Sequence, residues 1–186
     1  YSGSSVALSS DGKTVAIGAK LNDGNGKSSG HVRIYSYNGS TWKQLGKDID
    51  GEAAGDHSGI SVALSSDGKT VAIGAWSNDG NGTNAGHVRI YSYSGSTWNQ
   101  LGKDIDGEAF ADYSGSSVAL SSDGKTVAIG ASSNDGNGAE SGHVRIYSYS
   151  GSTWNQLGKD IDGEAAGDHS GSSVALSSDG KTVAIG

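Results

Sequence analysis

Histidines and carboxylates are the residues of this sequence that could do chemistry, and they return at fixed places. His31, His87 and His143 each open the same segment, His-Val-Arg-Ile-Tyr, while His57-Ser58 and His169-Ser170 stand in glycine-rich stretches. A serine beside a histidine suggests nucleophilic catalysis. Nucleophile, base and orienting group must meet in space, however, and adjacency in a glycine-rich loop does not supply that geometry. Tyr1 and Tyr113 occupy the position of His57 and His169, so one histidine mechanism cannot serve every unit. A hydrogen bond at strand entry or between repeated units accounts better for His31, His87 and His143 than catalysis does. No residue is assigned a catalytic role, and the expectation is a protein that is not an enzyme.

Two acidic segments raise metal binding: Asn22-Asp23-Gly24-Asn25-Gly26, and Asp48-Ile49-Asp50-Gly51-Glu52 followed by Asp56. Calcium asks for about six to eight oxygens, and neither segment has the EF-hand pattern. Clusters of Gly, Asn and Asp are turn formers first. The expectation is therefore no metal and no cofactor, with calcium at Asp48, Asp50, Glu52 and Asp56 as the alternative. Carboxylate pairs suited to glycoside hydrolysis are abundant, but abundance in turns is not specificity.

These residues recur because the chain repeats. Ser-Val-Ala-Leu-Ser-Ser-Asp-Gly-Lys-Thr-Val-Ala-Ile-Gly begins at Ser5, Ser61, Ser117 and Ser173, a spacing of 56 residues with no insertion, and such a period is architectural. Three units occupy 1–56, 57–112 and 113–168, and 169–186 opens a further one with its first hairpin. The first two units differ at 11 of 56 positions and the second and third at 8, so the physics of one unit describes all.

Within a unit, alternation places four strands. Ser5 to Ser9 (strand A) and Thr14 to Ala19 (strand B) flank Ser10-Asp11-Gly12-Lys13, and Asp-Gly between alternating apolar runs is a strong hairpin signal. Small side chains suit strands crowded near an axis and covered on both faces. Strand C, His31 to Tyr37, has the period-2 pattern of a sheet. Strand D follows over Thr41 to Leu45, with Ile49 continuing its inner face and Trp42 expected as its largest buried side chain. The fold class is all-β: tandem four-stranded antiparallel blades, propeller-like, in a closed ring or an open array.

The runs Ser2-Gly3-Ser4-Ser5-Val6-Ala7-Leu8, Ser10-Asp11-Gly12 and Val15-Ala16-Ile17-Gly18-Ala19 resemble FG-GAP repeats, the blades of the integrin alpha-subunit propeller and of many microbial surface proteins. Ser2, Ser58, Ser114 and Ser170 stand where the family name expects Phe, and no Pro follows Gly-Ala. Calcium-binding blades of that family have a longer Asp- and Asn-rich connection between strands A and B. One carboxylate beside a lysine cannot build that cage, so calcium is excluded at this connection.

Composition narrows the partners. A net charge of −7 argues against nucleic acid, whose binders need clustered Lys and Arg. No apolar stretch approaches the roughly 18 to 20 residues of a membrane span, so membrane insertion is not expected. The absence of cysteine does not exclude secretion. The sequons Asn38-Gly39-Ser40 and Asn81-Gly82-Thr83 fall in expected loops, making Asn38 and Asn81 the glycosylation candidates. An extracellular or cell-surface location is expected.

Nine of the eleven differences between the first two units lie in the B–C and D–A connections, which leave a propeller on the same face. Loops drift more freely than packed strands; a diversified binding face gives the same pattern. Its contacts would be Trp76, Phe110 and Tyr113, with Asp23, Asp79 and Asp135 in the same loops, and its ligand a glycan or a surface protein. A closed propeller needs about four to eight blades, so a longer chain, two copies closing a ring, or open stacking are the alternatives. A structural or adhesive array that self-associates through blade contacts is the leading expectation; the glycan- or protein-binding propeller is the alternative.

Overall fold

The alternating runs fold as strands in the computed structural model, which describes residues 2–186. Blade 1 comprises β1 (Ser5–Leu8), β2 (Thr14–Ala19), β3 (His31–Tyr37), β4 (Trp42–Gln44) and β5 (Ile49–Asp50). Blade 2 repeats it as β6 (Ser61–Leu64), β7 (Thr70–Ala75), β8 (His87–Tyr93), β9 (Trp98–Gln100) and β10 (Ile105–Asp106). Blade 3 follows as β11 (Ser117–Leu120), β12 (Thr126–Ala131), β13 (His143–Tyr149), β14 (Trp154–Gln156) and β15 (Ile161–Asp162). A hairpin of β16 (Val174–Leu176) and β17 (Val183–Ile185) packs beside blade 3. The protein is all-β, built of antiparallel propeller-like blades.

Strand D is two pieces. Both β4 and β5 pair with β3, through Tyr35 opposite Gln44 and Val32 opposite Ile49. Between them the chain bulges at Leu45 to Asp48, with Gly46 at φ 69°, a conformation that favours glycine. Ile49 thereby returns to the sheet's inner face.

Register gives each blade two unlike faces. Ala16 opposite Ile34 and Val32 opposite Ile49 form one; Val15 opposite Tyr35 and Val6 opposite Ile17 form the other. The first face of one blade meets the second face of the next. Ala16, Val32, Ile34 and Ile49 thus pack on Val71, Ile73 and Tyr91, and Ala72, Val88, Ile90 and Ile105 pack on Val127, Ile129 and Tyr147. The cores lie between blades, and burying each such Ile or Val contributes about 1.5 to 3 kcal/mol.

Burial corrects one expectation. Trp42 is 48% exposed, because its face has no blade before it. Its equivalents Trp98 and Trp154 pack into the two seams, where their indole N–H groups donate to the carbonyls of Leu45 and Leu101 at 2.8 and 2.7 Å.

Near the axis the A–B turns are joined across units. Ser10 N–H donates to Ser66 O at 3.0 Å, Ser66 N–H to Ser122 O at 2.9 Å, and Ser122 N–H to Ser178 O at 2.9 Å. Each turn is also closed locally: Ser9 Oγ and Lys13 N–H donate to Asp11 Oδ1 at 2.7 and 2.9 Å. Backbone and serine donors hold the carboxyls of Asp11, Asp123 and Asp179 below the ordinary aspartate value, led by Lys13 N–H at Asp11 and by the Ser121 and Ser177 hydroxyls at the other two. A depressed carboxyl stabilises the fold above the unfolded value of about 4 and loses that contribution as pH falls through the folded one. Denaturant midpoints below pH 4 should therefore fall less steeply in an Asp11→Asn, Asp123→Asn, Asp179→Asn variant than in the parent.

Candidate functional site

The B–C and D–A connections share a face and are laced together. Gly55 N–H donates to Lys27 O at 2.9 Å, His57 N–H to Ser28 O at 3.1 Å and Ser58 N–H to Ser29 O at 2.9 Å. Asp23, Asp79 and Asp135 each serve their own loop, accepting from the backbone N–H of Ser28, Asn84 and Glu140 at 2.7, 2.8 and 2.7 Å. Asp56 is buried and accepts from Glu52 N–H, Ala53 N–H and Asn78 Nδ2 at 3.1, 2.9 and 3.2 Å. It fastens the D–A loop rather than joining the other acidic residues.

On this face Trp76 is a centre. Its Nε1–H donates to His57 Nδ1 at 3.2 Å, its ring lies 5.7 Å from that of Tyr113, and Lys20 Nζ stands 5.5 Å over it. Three successive units therefore meet here, the first through the Lys20 ammonium and the second and third through aromatic rings. Phe110, 72% exposed, is not part of the stack, so Trp76 and Tyr113 are brought together and Phe110 is not. The unit-to-unit change at Tyr1 lies outside the described residues.

Of the two sequons, Asn38 is exposed and its Oδ1 accepts from Ser40 and Thr41 N–H, both at 3.0 Å. Asn81 instead donates through Nδ2 to Gly107 O and Glu108 O at 2.9 and 3.2 Å. A glycan on that nitrogen would displace this pair of bonds.

The acidic run from Asp48 to Glu52 is divided between blades, and sequence reasoning missed where each part goes. Asp48 and Asp50 face His31 of their own blade, their oxygens 3.5 and 3.9 Å from its Nδ1. Glu52 crosses the seam to His87 and Arg89 of blade 2. His87 Nδ1 stands 3.9 Å from Glu52 Oε2 and 3.6 Å from Asp104 Oδ2. Arg89 Nη1 lies 3.3 Å from Glu52 Oε1, and its Nη2 donates to Asp50 O at 2.7 Å. Gln100 Nε2 donates to Asp104 Oδ1. The next seam repeats this with Glu108, His143, Arg145, Gln156 and Asp160. The recurrence of Glu52 with His87 as Glu108 with His143 is the sequence signal that could have found it.

Electrostatics follow from this packing. Burial, with the Arg89 charge adding, pulls the His87 pKa down to about 4 despite the nearby Asp104, and burial lowers His143 likewise. Both imidazoles are neutral at pH 7. Burial also raises the Glu52 carboxyl, against the opposing pull of Arg89. In blade 1 Arg33 instead takes Asp48, holding its carboxyl below the usual range. Beside these clusters each seam opens a groove, of 290 Å³ lined by Asp48, Asp50, Tyr91 and Trp98 and of 350 Å³ lined by Asp104, Asp106, Tyr147 and Trp154.

Residues 49–91 match the FG-GAP repeat family, a stretch running from β5 through the D–A loop to Tyr91 in β8. No curated protein matches the chain. Among solved structures, Kuenenia stuttgartiensis hydrazine synthase is similar at a TM-score of 0.58 and 16% identity, over 96% of this chain and 40% of that one. The present chain thus spans well under half the length of that neighbour, and the likeness is one of fold alone. The matched segment lies within a 56-residue period that recurs in register, so residues 49–91 carry an FG-GAP-type repeat and the neighbouring units repeat its sequence.

Proposed function

We propose that this chain is a non-enzymatic structural or adhesive protein of the cell surface or extracellular space, whose activity is blade-to-blade packing. One observation carries the reading: blade 1 presents to solvent the face that blades 2 and 3 bury. Val6, Leu8 and Trp42 are 65, 62 and 48% exposed, whereas Val62, Leu64 and Trp98 pack into the first seam. On blade 3, Leu157 and Ile161 are open where Leu101 and Ile105 are packed.

The occupant that fits is another blade of the same repeat, which a second copy of these 186 residues supplies. Ser5–Gly18 and Ser173–Gly186 have the same sequence, so β1 and β2 of an incoming copy suit the position that β16 and β17 hold. Its β3 to β5 would then cover Leu157 and Ile161 as β8 to β10 cover their equivalents. Head-to-tail contacts of this kind form rings or filaments according to whether the rotation closes, with stability set by neighbouring interfaces. Light scattering should give a mass that rises with concentration through the micromolar range, and Leu8→Lys with Trp42→Ala should hold the chain monomeric with its β signature intact. A constant monomer mass for the parent would sink the proposal. The surface setting rests on the FG-GAP resemblance and is tested by antibody labelling of intact cells.

The stack of Trp76, His57 and Tyr113 favours a second reading, in which the loop face binds a glycan or a surface protein. Binding on a glycan array that survives Trp76→Ala and Phe110→Ala unchanged would count against it.

A further inference from the structure

The polar knot at each seam has a geometry that hydrogen bonding does not explain. His87 is 1% exposed, and neither ring nitrogen has a hydrogen-bond partner. Its distances of 3.6 and 3.9 Å to Asp104 Oδ2 and Glu52 Oε2 are too long for hydrogen bonds. Yet both carboxylates are oriented. Arg89 holds Oε1 of Glu52 and Gln100 holds Oδ1 of Asp104, which turns the remaining oxygen of each toward the unpartnered nitrogen.

The arrangement recurs at the second seam. His143 Nδ1 stands 4.0 Å from Glu108 Oε2 and 3.9 Å from Asp160 Oδ2, with Arg145 and Gln156 on the outer oxygens and His143 Nε2 likewise unpartnered. Blade 1 supplies the contrast. Among the described residues no glutamate faces His31, and Arg33 Nε instead donates to Asp48 Oδ2 at 2.9 Å, the oxygen left free at the seams. His31 has carboxylates of its own blade only, Asp48 and Asp50, and His143 also has Asp162 of its own blade at 4.0 Å; the glutamate oxygen is what depends on two blades meeting.

We propose that each seam binds a divalent transition-metal ion of the zinc type, held by Glu52, His87 and Asp104 at the first and by Glu108, His143 and Asp160 at the second. Ligand bonds of about 2.0 to 2.2 Å place tetrahedral donors roughly 3.3 to 3.6 Å apart, against nitrogen-to-oxygen spacings of 3.6 to 4.0 Å here, so the donors contract onto the ion. Carboxylates braced by outer donors are what metal sites use to fix ligand direction. One nitrogen and two carboxylate oxygens suit zinc better than calcium, which wants about six to eight oxygens. Because Glu52 belongs to blade 1 and His87 and Asp104 to blade 2, the ion is a fastener between blades.

Calorimetric titration of the chain with zinc chloride at neutral pH tests this. The expected result is two ions per chain, falling to one in Glu52→Gln or Glu108→Gln and to none in the double variant. Gln100→Leu keeps the count and weakens one site by about 10- to 100-fold. Cobalt provides a second readout, its visible absorption at saturation halving in each single variant. Circular dichroism of the metal-free variants separates lost ligands from lost fold, and Asp104→Asn substitutes for Glu52→Gln if that variant unfolds. No saturable binding by the parent, or two-site binding that persists in the double glutamine variant, overturns the proposal.

Discussion

Ile90→Ala should destabilise the array by about 3 to 4 kcal/mol, while Ile146→Ala, the same change at the same place in the next unit, should cost about 1 to 2 kcal/mol. Ile90 lies wholly inside the second seam, covered by Val127, Ile129 and Tyr147. Ile146 has only the β16–β17 hairpin beside its blade and is half-buried. Removing three carbons from a closed core leaves a cavity that the surroundings only partly fill; at a half-open site water and side-chain shifts take up the space. Ile34, fully buried in the first seam, should behave as Ile90 does. Denaturant midpoints of the three alanine variants measure this, and equal losses would mean that the seams are not where stability resides.

Gly74→Ala should be nearly as damaging, about 3 kcal/mol, for the opposite reason. Gly74 has ordinary strand geometry, so the difficulty is space. A Cβ there would collide with the carbonyl of Gly115 and with Ser61 Oγ, which itself donates to Gly115 O at 2.8 Å. Backbone cannot step aside as a side-chain tip can, so the third unit would have to move off the second. Gly12→Ala is the control: φ is +68° and nothing lies within 4 Å, leaving only the backbone term of about 1 to 2 kcal/mol. Thermal melts that rank the two alike would show that the inner strands are not in close contact.

Strands β2 and β3 were legible to the residue, because Val and Ile alternate there without interruption and Asp-Gly marks the turn. Strand D was legible only in part. The left-handed Gly46 interrupts it, and a bulge leaves no trace in a period-2 count. Burial was less legible still. Trp42, Trp98 and Trp154 are the same residue in the same local sequence, yet only the last two have a blade to lie against. Identical neighbours along the chain cannot encode a difference that comes from neighbours across a seam. The polar knot was hidden for the same reason: Asp48 and Glu52 read as one acidic run, although strand geometry sends the first to its own blade and the second to the next. The close approach of Trp76 to Tyr113 also crosses units, whereas Phe110, equally conspicuous in sequence, stands alone in solvent.

The string of hydrogen bonds through Ser10, Ser66, Ser122 and Ser178 gives the assembly a direction. Every link points the same way, the N–H of one unit donating to the carbonyl of the following one. In the head-to-tail contact proposed above, Ser10 of the incoming copy takes the place of Ser178, and its carbonyl accepts from Ser122 N–H. A copy arriving head to tail continues the string, while one arriving head to head sets acceptor against acceptor. Growth of the proposed array would be vectorial, with two chemically distinct tips.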